Sequence, residues 1–225
     1  MTQAAQQGAP SSARSKRERQ KAETRAELID AARKLVQESG YEGLTIRNLA
    51  KRAGYAPMSV YSYFADKHDI LMALAEDTFE TLARKLRKNQ PEDPVEALRA
   101  TLRDYATFGL ENPNEYRTIF MTEKLHPDCD EPEMIDRLEK NNPALIILNE
   151  RVAACIAAGR FKGDVQAIAT VLWTVGHGAI SLLINFPHYP FGNPQDYIMR
   201  IGEIALAGIA TMDVLPLEDA SNPKG

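Results

Sequence analysis

Between Thr45 and Leu71 the chain reads TIRNLAKRAGYAPMSVYSYFADKHDIL, and no other stretch leaves so few ways to fold. Thr45 stands before Ile46, Leu49, Ala50 and Ala53, a set spaced for one helical face, and its hydroxyl suits an N-cap. Gly54 ends that short helix. Pro57 follows after only Tyr55 and Ala56; its missing N–H costs nothing at a first helical position, so another short helix starts there with Val60 and Phe64 facing inward. Asp66, three residues before Asp69, reads as the cap of a further helix beginning at Lys67. Upstream, Leu28, Ala32, Leu35 and Val36 share a face of a longer first helix, predicted over about 16–39 with Gly40 just past its end. Two short helices joined by a glycine turn and packed on a longer one make a helix-turn-helix, whose second short helix enters the major groove.

With Val60 and Phe64 turned inward, the outward residues are Pro57, Met58, Ser59, Tyr61, Ser62 and Tyr63. No Lys or Arg lies between Ala53 and Asp66, so the positive charge must come from beside this segment. Arg47, Lys51 and Arg52 on the preceding helix and Lys67 on the next can hold phosphates, leaving hydroxyl and apolar contacts to read bases. Charge is unevenly distributed along the chain. Up to Ile70 there are 12 Lys/Arg against 8 Asp/Glu, and beyond it 15 against 23. Within the basic part, Arg14, Lys16, Arg17, Arg19, Lys21 and Arg25 face only Glu18 and Glu23. On its own such a run is a solvated tail; before a helix-turn-helix it is an electrostatic footprint for nucleic acid. Residues 1–20 are expected to be a disordered basic arm, and 21–66 the DNA-binding domain.

The apolar content of 44% can build a core, and the helical spacing of Ala, Leu, Ile and Met points to an all-α chain. Cys129 and Cys155 form no closely spaced pair, which suits a reducing, cytoplasmic setting without a disulfide framework. The N-terminus has no secretory pattern. Val165 to Phe186 carries no formal charge and is long enough to span a bilayer. However, Gln166, Thr170, Thr174, His177, Ser181 and Asn185 recur every three or four residues, a polar stripe that fits a protein interior or a subunit interface rather than lipid.

The stretch GYEGLTIRNLAKRAGYAPMSVYSYFADKHDIL resembles the bacterial TetR-type transcriptional regulators, with Thr45, Ile46, Leu49, Ala50, Ala53, Gly54, Tyr61, Phe64, Lys67 and Leu71 at matching spacing. The resemblance implies that Thr45 and Lys67 hold phosphates, that Tyr61 and Tyr63 meet the backbone at the groove edge, and that Met58 and Ser59 lie nearest the bases. Three positions depart from the usual pattern: Ala56 where Ser commonly caps, Met58 where a small residue is common, and Tyr63 where His is frequent. Farther on, YRTIFM and LWTVGHGAISLLI resemble a C-terminal subfamily marked by Trp, His and Gly, here Trp173, His177 and Gly178. That resemblance implies an effector pocket, for which Tyr105, Phe108, Phe120, Met121, Phe161 and Trp173 are candidate wall residues and His177 a polar anchor.

Downstream of the helix predicted over about 67–89, the prolines and glycines punctuate helices at about 94–110, 114–124, 132–158, 164–186 and 194–212, with Pro143 interrupting or kinking the third of these. Residues 67–212 are therefore expected to form a helical effector-binding and dimerisation domain, and 213–225 a tail. Gly176, Gly178, Ala179, Gly202, Ala205, Ala207 and Gly208 make the last two helices fit each other and a second subunit closely. The function that follows is a dimeric, ligand-responsive transcription regulator, a repressor or an activator, on double-stranded DNA. An enzyme is the weaker alternative: His126, Asp128 and Cys129 are close in sequence but supply neither a complete catalytic set nor a metal site. No cofactor, metal or membrane partner is implied.

Overall fold

The computed structural model describes residues 12–88, 90–122 and 142–216. They form helices α1 (Ser12–Gly43), α2 (Ile46–Ala53), α3 (Pro57–Val60), α4 (Lys67–Lys88), α5 (Pro94–Glu111), α6 (Pro113–Phe120), α7 (Pro143–Ala157), α8 (Val165–Asn185) and α9 (Pro194–Thr211). Two dipeptides, β1 (Lys162–Gly163) and β2 (Asp213–Val214), pair in parallel. The chain divides between Leu74 and Ala75 into two compact units, eight residues beyond the start of α4, whereas the sequence puts the boundary at Lys67.

In the first unit, Leu28, Ala32 and Val36 of α1, Leu49 and Ala50 of α2, Val60 of α3 and Phe64 are all buried. Thr45 caps α2, its Oγ1 accepting from Asn48 N at 3.1 Å. Gly54 closes the helix in the left-handed region at φ 77, where a side chain would be strained. Pro57 opens α3, and Ala56 before it offers no side-chain cap. Asp66 and Asp69 complete a reciprocal cap at α4: Asp66 Oδ1 accepts from Asp69 N at 2.9 Å, and Asp69 Oδ2 accepts from Ala65 N at 3.0 Å.

Three details of this unit differ from the sequence reading. The arm is helical from Ser12, because α1 continues through the basic residues that were expected to be disordered up to residue 20; residues 1–11 lie outside the described set. Gly40 (φ 64, ψ −164) leaves the helical region where the sequence ends the first helix, and the difference is that helical backbone resumes beyond it up to Gly43. Helix α3 stops at Val60, and Phe64 is brought inward by a turn in which its N–H still reaches Val60 O at 3.0 Å.

The second unit is built around α5, which packs against α7, α8 and α9. One cluster joins Leu98, Leu102, Leu148, Val152, Phe161, Ile168, Leu172 and Leu206; another joins Ala106, Tyr116, Ala179, Ile180, Ile184 and Ile198. Small residues permit these approaches. A Cβ on Gly109 would come within 2.7 Å of Ile180, and one on Gly202 within 2.9 Å of Leu102. Gly109 thus lets α8 come close to α5, and Gly202 does the same for α9, whereas a Cβ on Gly176 would make only ordinary contact and one on Gly178 or Gly208 would meet nothing within 4 Å. Buried Arg151 of α7 ties three helices together by donating to Ala97 O at 2.8 Å, to Thr101 Oγ1 and to Leu86 O.

Pro143 is the first residue of α7, capped by Asn142 Oδ1 at 3.0 Å from Ala144 N, and so is not a kink; residues 132–141 of the predicted helix lie outside the described set. Residues 213–214, expected in a tail, are pinned to β1, and Asp164 N donates to Val214 O at 2.8 Å. Helix α8 is long and apolar enough to cross a membrane by length and composition, and Ile168, Leu172, Ala179 and Ile180 are buried in the unit's own core.

Candidate nucleic-acid interface and aromatic cluster

Helix α3 and the residue that follows it put an unusual pair of side chains in solvent. Met58 is 77% exposed and Tyr61 52%, on either side of buried Val60. Pro57 and Ser62 are exposed as well, while Ser59 and Tyr63, read as outward, are half-buried. Such apolar exposure on so short an element has no folding benefit, and it suits contact with thymine methyls or sugar edges.

The flanking cations are held in different ways. Arg47 and Lys51 are exposed. Arg52 instead pairs with Glu38 of α1. Lys67 donates to Tyr41 O at 2.7 Å, with its ammonium 3.4 Å from the Tyr41 ring centroid. The sequence reading missed this Tyr41 contact, since nothing in residue spacing pairs positions so far apart. Further links fasten α1 to this region: Tyr55 Oη donates to Glu27 at 2.8 Å, and the Arg25 guanidinium lies 5.1 Å from the Phe64 ring centroid.

In the second unit most of the predicted pocket residues converge on one that was not singled out. Tyr116, from α6, is fully buried. Its ring lies 4.6 Å from Phe120, 5.5 Å from His177, 6.0 Å from Tyr105 and 6.5 Å from Phe108. Phe79 of α4 adds an edge contact to Phe120 at 5.7 Å. Trp173 lies 6.0 Å from His177 and packs against the first core cluster, while Met121 packs against the second. Phe161 belongs elsewhere: it is buried in the first cluster and makes no ring pair with this group among the described residues. Tyr116 sits within the YRTIFM stretch, where its i, i+4 relation to Phe120 was the available signal.

A line of hydrogen bonds runs through the aromatic group. Tyr105 Oη and Tyr116 Oη are 2.9 Å apart, Tyr116 Oη and His177 Nδ1 2.6 Å, and His177 Nε2 and Ser181 Oγ 3.3 Å. Burial pushes the Tyr105 phenol up to about 12, raises Tyr116 further, and lowers His177 below its ordinary value. All three are therefore neutral near pH 7. Every group in the line is satisfied when Tyr105 donates to Tyr116, Tyr116 to Nδ1, and Nε2–H to Ser181. Such a line offers polar anchoring without charge and supplies no activated nucleophile.

Cys155 is buried, with its thiol pushed up to about 11 by burial, and is therefore protonated and unreactive. Among the described residues no three His, Cys, Asp or Glu side chains gather to hold a metal. His126, Asp128 and Cys129 lie outside the described residues.

Residues 28–74 match the family described as bacterial regulatory proteins, tetR family, and residues 98–201 match the tetracyclin repressor-like C-terminal domain. The HTH-type transcriptional repressor AcnR of Corynebacterium glutamicum is 27% identical over 71% of this chain and 81% of its own length. Among solved structures, the regulator FadR from Bacillus subtilis in complex with stearoyl-CoA has a TM-score of 0.68 at 21% identity, covering 82% of this chain and 98% of that one. RolR in complex with resorcinol has a TM-score of 0.61 at 23% identity, covering 89% and 98%.

Proposed function

We propose, from the premise that this chain belongs by both of its domains to the TetR family of DNA-binding transcription regulators, that it is a repressor released from its operator by a small, largely apolar effector. The observation that carries the DNA half is the exposure of Met58 on α3 and of Tyr61 just after it, beside α2 with its exposed Arg47 and Lys51. In this reading Thr45, Arg47 and Lys67 hold phosphates, Tyr61, Ser62 and Tyr63 meet the backbone, and Pro57, Met58 and Ser59 approach base edges.

The protein acts as a homodimer on a pseudo-palindromic site in the cytoplasm. Support for the dimer comes from exposed apolar residues on the last two helices, Val171, Leu182 and Ile204, with Phe186 just after α8. Two such faces, set back to back, form a self-complementary contact. The effector occupies the region of Tyr105, Phe108, Phe120, Met121, Trp173 and His177, and the C-terminal domain is of the Trp-His-Gly kind on the strength of Trp173, His177 and Gly178. Support comes from the neutral hydroxyl–imidazole line among aromatic rings, an environment able to take an apolar body with one polar group. FadR's stearoyl-CoA and RolR's resorcinol are in keeping with a ligand-binding role for this fold. An effector that binds the DNA-incompetent dimer better than the competent one shifts the population toward release.

The test is fluorescence anisotropy of purified protein on a labelled fragment of its own upstream region, followed by addition of apolar compounds. Saturation at a multiple of two subunits and release by a compound support the reading. Absence of binding to this fragment and to genome-selected fragments at low salt refutes it.

A further inference from the structure

Helix α1 carries its basic residues to a place where they meet the recognition turn. We propose that Lys16, Arg17 and Lys21 of α1, together with Ser62 and Tyr63, form a second grip on the DNA sugar-phosphate backbone, separate from the cations beside α2 and α4. The inference rests on the regulator reading and specifies which charges do the holding.

An open groove of about 590 Å³ is lined by Lys16, Arg17, Gln20 and Lys21 from α1 and by Ser62 and Tyr63 from the turn after α3. On a helix of 3.6 residues per turn, positions 16, 17, 20 and 21 share the face that continues into buried Thr24 and Leu28. The groove is thus the solvent end of the seam where α1 packs on its own unit. Its lining has three positive charges, no negative one, and donors on Gln20, Ser62 and Tyr63. Glu18 falls off that face by the same spacing, and Glu23, which does not line the groove, is engaged by Arg19 at 3.0 Å.

Because the arm is helical, these charges are held in place rather than spread over a mobile tail. Arg25 over Phe64 and Tyr55 on Glu27 fasten α1 to the recognition region, so a strand lying against Ser62 and Tyr63 meets the three cations without ordering them first. Three exposed cations spaced along one face suit a polyanion that releases counterions at each contact. A single free anion would need donors converging on one point.

The test compares wild type with the triple variant K16A/R17A/K21A on a fluorescein-labelled random-sequence duplex and on the upstream fragment, across a salt series. With a slope of about 0.9 per phosphate, three lost contacts make the log-affinity against log-salt line shallower by about 2.7. Wild type then loses about 40-fold more affinity than the variant between 50 and 200 mM salt. The loss is equal on the two duplexes, since backbone contacts carry no sequence information. Q20E, which places one carboxylate in the groove with little change of shape, weakens binding most at low salt, whereas R19A on the other face leaves the slope unchanged.

Alanine at exposed helical positions favours the helix, and an unchanged melting temperature verifies folding. A triple-variant slope within one unit of wild type, wild-type affinity in Q20E, or an R19A effect as large as that of a groove cation each overturns the proposal. Wild type that binds neither duplex at 50 mM overturns the regulator reading as well. Wild type that binds with the triple variant unaltered overturns only the second grip.

Discussion

Replacing Tyr116 with Phe removes one oxygen from the middle of the line that joins Tyr105, His177 and Ser181. The ring packing against Phe120 and His177 is retained, so the change isolates the hydroxyl. That oxygen lies 2.9 Å from Tyr105 Oη and 2.6 Å from His177 Nδ1, on a side chain with 0% exposure, so water has no direct route to replace it. Two groups lose their partner: a phenolic donor on Tyr105 and a ring acceptor on His177. A buried polar group left unpaired costs about 1–3 kcal/mol, and because Tyr105 and His177 are themselves half-buried the lower end applies to each. The expected loss is therefore about 2 kcal/mol, or roughly 4–8 °C in melting temperature for a chain of this size. The assay is calorimetric or far-ultraviolet melting of Y116F, Y105F and the double variant. With both hydroxyls gone only His177 remains unpaired, so the double variant loses less than the sum of the two singles, by about 1 kcal/mol. A loss below about 0.5 kcal/mol in Y116F, or strict additivity in the cycle, refutes the reasoning that these groups act as one unit.

Burial lowers the His177 pKa, so below its ordinary value of about 6.5 the unfolded chain binds more protons than the folded one; stability falls as the pH drops through 6.5, and His177→Asn flattens that part of the melting-temperature profile. Ile204 is 65% exposed on α9, and if the proposed homodimer forms through this face, Ile204→Glu yields a monomer by light scattering while leaving the far-ultraviolet spectrum unaltered. Arg47→Ala weakens binding uniformly across sequences and lowers the salt slope by about 1, whereas Met58→Ala changes the ranking of operator variants by about 1–3 kcal/mol per position in competition titrations. Gly163→Ala puts a Cβ 2.1 Å from Val214 O at a residue with φ of 122, so β2 comes away and the Asp164 amide, which donates to Val214 O, exchanges faster by hydrogen-exchange mass spectrometry.

Local chemistry was the most legible part of this chain. Thr45, Gly54, Pro57 and Asp66 do what their types dictate at helix ends, because capping depends on neighbours within a few residues. The starts of α5, α8 and α9 fall within a residue of where proline and glycine punctuation places them, and the structure adds Asp93, Asp164 and Asn193 as their caps. Periodicity, by contrast, says which face of a helix is apolar and not which neighbour it meets. Phe161 therefore belonged, on sequence grounds, with the other aromatic residues, though it packs in the first core cluster, and Tyr116 went unnamed although four rings surround it. Long charged side chains were hardest to place. Arg52, Lys67 and Arg151 all have partners distant in sequence, and their stems are long enough to reach in many directions. The helical course of the arm was hidden because its polar composition matches that of a solvated tail.

Trp173 is the only tryptophan in the chain, and it stands 6.0 Å from the His177 ring beside the aromatic group. The protein thus carries its one indole probe beside the aromatic group of its second unit and no tryptophan in its first. A molecule lodging among Tyr105, Phe120 and His177 alters the polarity around the indole and shifts its emission without any label. Protonation of His177 quenches the same signal, since an imidazolium close to an indole accepts excited-state charge. Occupancy of the effector region can therefore be titrated by ultraviolet excitation in the same cuvette in which a visible dye on the DNA reports the operator.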